Sequence, residues 1–124
     1  MVQAFMPPTE RLAEGTIKGL QFFIEMLDGR EQFSKVYAGK KDIPTHHLAI
    51  IVADKKHQMA TEAKVQLKIT NTEGKSEKMD IAYNTGSKHI GHDFSFNKLG
   101  KYSFEGTLTF KGEKKPFKFQ YTVK

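Results

Sequence analysis

The side chains best suited to chemistry in this sequence are five histidines, and they fall in three places. His46 and His47 stand together ahead of the apolar run Leu48-Ala49-Ile50-Ile51-Val52-Ala53. His57 lies two residues before Met59, and His89 and His92 flank Ile90-Gly91 ahead of Asp93. Imidazole nitrogen with thioether sulfur is a donor set that copper accepts in either oxidation state, whereas calcium needs a cluster of carboxylates that is not here. The candidate metal ligands are therefore His46, His47, His57, Met59, His89 and His92, and copper is the ion to test first. The chain has no cysteine, which excludes disulfides, thiolate metal sites and cysteine nucleophiles and leaves the redox compartment open. Asp93 beside His92 suggests an acid and base pair. Adjacent strand residues face opposite sides, however, and no motif places a nucleophile, so no enzyme is predicted.

The elements that must position these residues are strands. From Thr16, the side chains of Leu20, Phe22, Ile24 and Met26 are in phase at period two, and Asp28-Gly29 marks a turn. Residues 30–44 form a long basic connection in which Phe33, Val36 and Tyr37 pack as a short strand or a turn of helix. The run 46–53 is apolar on both faces, as in a strand covered on each side. Ala63, Val65, Leu67 and Ile69 alternate with polar residues; after Asn71-Thr72-Glu73-Gly74, a weaker strand holds Met79, Ile81 and Tyr83 in phase. Ile90, His92, Phe94 and Phe96 follow, then Tyr102, Phe104, Leu108 and Phe110, then Phe117, Phe119, Tyr121 and Val123. Seven strands at spacings of roughly eight to twelve residues predict an all-β fold, an antiparallel seven-stranded immunoglobulin-like sandwich. Residues 1–15 read as an N-terminal arm and 16–124 as a single β-sandwich domain.

Strand phase says what each histidine can do. His46 shares a face with Leu48, Ile50 and Val52, and His92 shares one with Phe94 and Phe96; His47 and His89 point the other way. Two readings of His46 and His92 stay open, as metal ligands or as core-edge histidines bonded to the backbone. If consecutive strands simply alternate in direction, the starts of the strands at 46 and 89 lie at opposite ends, about 25 Å apart. His57, Met59, His89 and His92 then share one end, and His46 and His47 the other. A single site requires the weak strand around Met79 to be a crossover loop, or a bulge at Gly91.

Composition narrows the partners. A chain of 124 residues with 27% charged and 38% hydrophobic residues is the size and kind of one folded domain. No apolar run approaches the about 18 residues that cross a bilayer, and the first residues carry no basic region followed by an apolar one. The net charge of +6 raises nucleic acid as a partner, but the lysines fall in turns or alternate with inward-pointing residues, as on a solvated sheet face. A nucleic-acid partner is therefore not expected. Tyr83, Tyr102, Phe104, Phe117, Phe119 and Tyr121 have the phase of core residues, which argues against a stacking platform.

Several strings carry a resemblance: Thr45-His46-His47-Leu48 with Ile50 and Val52, Asp54-Lys55-Lys56, Ala63-Lys64-Val65, Gly74-Lys75, Gly91-His92-Asp93-Phe94, Gly100-Lys101-Tyr102 and the ending Phe117-Lys118-Phe119-Gln120-Tyr121-Thr122-Val123-Lys124. Together they resemble small exported bacterial β-sandwich proteins of the YtkA-like kind, distantly similar to the CopC-type periplasmic copper carriers. The resemblance implies an immunoglobulin-like fold, export to the periplasm and metal handling, and it carries over to His46, His47 and His92. CopC-type carriers hold copper(I) with a methionine-rich loop, where this chain has the isolated Met26, Met59 and Met79. The function expected is a non-enzymatic exported β-sandwich that binds a transition metal, copper before others, through histidines at a sandwich end. The alternative is a protein-interaction or adhesion-type module with structural histidines and no metal.

Overall fold

Alternating apolar side chains set most of the strands, and tight turns set their limits. The computed structural model describes residues 9–36, 39, 43–56, 58, 60–86 and 89–124. In chain order these form β1 (Thr9–Ile17), β2 (Leu20–Asp28), α1 (Arg30–Val36), β3 (His46–Ala53), β4 (Lys64–Thr70), β5 (Ser76–Asn84), β6 (His89–Phe94), β7 (Gly100–Phe110) and β8 (Glu113–Val123). Two hairpins are closed by two-residue turns with positive φ at both positions, Lys18-Gly19 (50° and 78°) and Lys111-Gly112 (48° and 83°). That is the turn whose twist matches the right-handed twist of the flanking strands.

Among the described residues the strand count is eight rather than seven. The segment 16–27, expected as one strand, is divided by Lys18-Gly19, and residues 9–15, expected in an N-terminal arm, are paired in β1. β1 lies at the sheet edge with most side chains exposed, so its pairing comes from the backbone and leaves no apolar alternation to read. The 30–44 connection contains α1, with Tyr37 outside the described residues.

All strand pairs are antiparallel, in the order β1-β2-β3-β6-β5-β4-β7-β8. The sheet bends at β5, which pairs with β4 from Ser76 to Ala82 and with β6 only through Tyr83 and Asn84. One layer is thus β1-β2-β3-β6 and the other β5-β4-β7-β8. The outer edges are tied across the layers, with the Lys18 N–H donating to Glu113 Oε2 (3.0 Å) and Arg30 Nη1 donating to the Lys124 carbonyl (2.8 Å). Phe22, Ile24 and Met26 of β2 and Leu48, Ile50 and Val52 of β3 pack toward Val65, Leu67, Phe104 and Leu108 of the facing layer. Gly106 leaves space for the Phe117 ring, since a Cβ there would lie 2.6 Å from it and 2.5 Å from the Gln66 carbonyl oxygen. β3 is central as expected, but its outer face (His47, Ala49, Ile51, Ala53) is half-buried rather than covered.

Candidate metal site

The site is built where β3 meets β6, two strands that are neighbours in space though β4 and β5 come between them in the chain. Their register pairs His46 with Phe94, His47 with Asp93, Leu48 with His92 and Ala49 with Gly91. His47, Asp93, Gly91 and His89 therefore share the outer face of the sheet. From Asp93 back to His89 is about 13 Å of strand, and each imidazole reaches roughly half of it. They meet over Gly91: His47 Nε2 lies 2.8 Å from His89 Nε2, with the rings nearly perpendicular at 88° and their centroids 5.0 Å apart. A Cβ on Gly91 would sit 2.7 Å from His47 Nε2 and 2.8 Å from His89 Nε2, so the absence of a side chain there is what lets the rings touch.

Asp93 stands behind the pair. Its Oδ1 is 2.6 Å from His47 Nδ1, and the two side chains are 52% and 24% exposed. The carboxylate selects the tautomer in which His47 Nδ1–H donates to it, which turns the Nε2 lone pair toward His89. With that tautomer, the hydrogen-bonded arrangement of the pair is His89 Nε2–H toward the His47 Nε2 lone pair. Two imidazole nitrogens each about 2.0 Å from one ion and about 90° apart, as in a tetragonal copper(II) site, are about 2.8 Å from each other, so the spacing fits a pair of neighbouring ligands on such an ion. A carboxylate on the far nitrogen is the usual outer partner of a metal-bound histidine. Among the described residues no group of three or more His, Asp or Glu side chains is arranged to hold an ion; His47 and His89 are a pair of converging nitrogens, with Asp93 on the far nitrogen of His47.

His46 lies on the opposite face of β3, fully buried, packed against Phe96 (5.0 Å between centroids) and Tyr121 (5.4 Å). Its Nδ1 is 2.8 Å from Thr45 Oγ1, while Nε2 has no hydrogen-bond partner and lies 3.7 Å from Asp28 Oδ1. Arg30 grips that carboxylate with three hydrogen bonds, from its backbone N–H (3.2 Å) and Nε (3.0 Å) to Oδ1 and from Nη2 to Oδ2 (2.6 Å). The Arg30 hydrogen bond holds the Asp28 carboxyl below its ordinary value of 3.8 against the opposing effect of burial. Burial holds the His46 imidazole below its ordinary 6.5, the Asp28 charge working against the shift and Arg30 adding to it.

A pH dependence follows from His46. The unfolded chain takes up a proton near pH 6.5 that the folded chain accepts only at lower pH, so stability from the neutral buried ring is complete above about 6.5 and is lost as pH falls through the folded-state value. Urea midpoints should drop between about pH 7.5 and about pH 5.5, and His46→Gln should flatten that limb. An unchanged slope in the variant would assign the effect to another group.

His92 is in the core phase of β6 but exposed, because β5 has parted from β6 at that level; its ring lies 4.9 Å from that of Phe94. It borders a groove of about 570 Å³ together with Met79 and Lys98. The structure thus brings together His47 and His89 and leaves His46 and His92 apart from them. His57 and Met59 lie outside the described residues. The expected separation of His47 from His89 is corrected: β6 is short and pairs directly with β3, so an outward ring from each strand closes the distance without a bulge at Gly91 or a crossover loop at Met79. Asp93, read beside His92, partners His47 instead. The signal for this was present in the period-two series His89, Gly91, Asp93, two polar residues flanking a glycine on one face.

Fold and site together define an antiparallel β-sandwich with a histidine pair and a carboxylate on one outer face. No family model matches the sequence, and no curated protein matches it. Solved structures do match in fold. FetP of uropathogenic Escherichia coli strain F11, expressed in the periplasm of E. coli, aligns with a TM-score of 0.59 and 9% identity over 94% of this chain and 99% of its own. The copper-reconstituted P19 protein of Campylobacter jejuni aligns with a TM-score of 0.60 and 10% identity over 94% and 96%. A DUF4426 family protein of Pseudomonas aeruginosa aligns with a TM-score of 0.62 and 13% identity over 90% and 94%. At such identities the likeness establishes the shared sandwich fold.

Proposed function

We propose that this chain is a non-enzymatic, exported β-sandwich protein that binds a transition metal, copper first, through His47 and His89. The observation that carries the reading is the 2.8 Å approach of the two Nε2 atoms over Gly91, with Asp93 on the far nitrogen of His47. Neutral imidazoles suit copper and zinc, and the copper-bound state of P19, a protein of the same fold, favours copper. Export is supported by the fold likeness to FetP and by the resemblance to exported sandwich proteins. The ion is cargo in this reading, and the carboxylate and glycine are there to hold the rings.

Titration of the metal-free protein with copper(II) and with zinc tests it. Stoichiometric binding is expected in the native chain and in His92→Ala, and its loss in His47→Ala and in His89→Ala. A native Kd weaker than about 10 μM, roughly −7 kcal/mol, would overturn the metal reading and leave the interaction module with structural histidines. Loss in His92→Ala alone would move the ion to the groove beside Met79.

A further inference from the structure

The outer face of the second layer carries the charge that the histidine site does not use. The register places Lys64 and Lys68 of β4, Lys78 of β5, Lys101 of β7 and Lys114 and Lys118 of β8 on that one face, all exposed. Asp80 and Glu105 are the acidic residues among them, so the face has a net charge of about +4 by formal count. The remaining positions are small or neutral, such as Gln66, Thr107 and Gln120. Across the four strands one row reads Lys78, Lys68, Glu105, Lys118, with Lys68 directly opposite Lys78. Like charges in that position are destabilising, and among the described residues no ion pair joins these lysines to a carboxylate. Lys68 and Lys78 stand about 5 Å apart, inside a Debye length of about 8 Å, while Lys68 and Lys118, and Lys64 and Lys114, lie two strands and about 10 Å apart, so the potentials of the nearest pair add most strongly.

From this face we infer that the protein docks on anionic lipid bilayers through the outer surface of β5-β4-β7-β8. Three features select a lipid surface over nucleic acid. The charges are all lysine, a hydrated point charge, where nucleic-acid recognition favours the planar fork of arginine. No aromatic side chain stands on the face to stack a base. The charges spread over a sheet two strands and more wide instead of following one groove or helix. Lys68, Lys78 and Lys118 rim a shallow hollow of about 770 Å³ that Asp80 and Glu105 also line, so the hollow itself is only weakly cationic and the attraction comes from the face as a whole. His47 and His89 are on the outer face of the other layer, so a docked molecule presents its histidine pair away from the bilayer.

Sedimentation of the metal-free full chain with vesicles tests the inference independently of any ion. Vesicles of phosphatidylcholine with about 30% phosphatidylglycerol should bind the protein at about 0.05 M salt and release it at about 0.5 M, and pure phosphatidylcholine should not bind it. The triple variant Lys68→Gln, Lys78→Gln, Lys118→Gln should lose about 100-fold in partitioning, about fivefold per lysine. The control triple Lys35→Gln, Lys55→Gln, Lys56→Gln removes the same charge elsewhere and should lose less than about threefold. No binding to the anionic vesicles at low salt, or an equal loss in the control, overturns the inference. Tighter binding of a short DNA duplex than of the vesicles also overturns it and gives the face to nucleic acid.

Discussion

Gly91→Ala is expected to cut copper affinity at least about tenfold while leaving the sandwich folded, an effect in the range of disturbed outer support around a metal ligand. The new methyl would meet His47 Nε2 at 2.7 Å and His89 Nε2 at 2.8 Å, and both are the far ends of flexible side chains. The rings rotate away from each other sooner than the strands part. In the middle of a strand alanine is itself favoured over glycine by about 0.5–1 kcal/mol, so stability should hold or rise. Urea unfolding and copper titration on the same sample separate the two effects. Unchanged affinity with unchanged stability would show that the touching rings do not hold the ion.

Phe104→Ala should cost about 3–5 kcal/mol, a large share of the about 5–15 kcal/mol that stabilises a domain of this kind. Its side chain is fully buried, stacked on Phe119 at 5.0 Å and edge-on to Phe94 at 6.0 Å and Phe96 at 6.3 Å. It is thus the ring through which β7 touches both its own layer and the end of β6. Truncation removes transfer free energy and leaves a cavity that neighbouring rings, held by their own strands, fill only in part. Denaturant unfolding measures the loss. A loss below about 1 kcal/mol would mean that the aromatic cluster closes over the gap.

These two residues mark how differently fold and site are written in the chain. Phe104 belongs to a period-two series whose inward face is evident in the sequence, and the same period places His46 inward and His47 and His89 outward. Those orientations depend only on the pleat of a strand, which is local. The edge strand Thr9–Ile17 escaped because it is held by backbone hydrogen bonds and buries little. The period-two series puts His89, Gly91 and Asp93 on one face, but their meeting with His47 was decided by tertiary structure. It depends on β6 pairing with β3 across an interval occupied by β4 and β5, and on the register that sets Gly91 between the two rings. The order of strands in a sheet follows from how the two layers share one core, a property of the whole molecule that no short stretch of sequence contains.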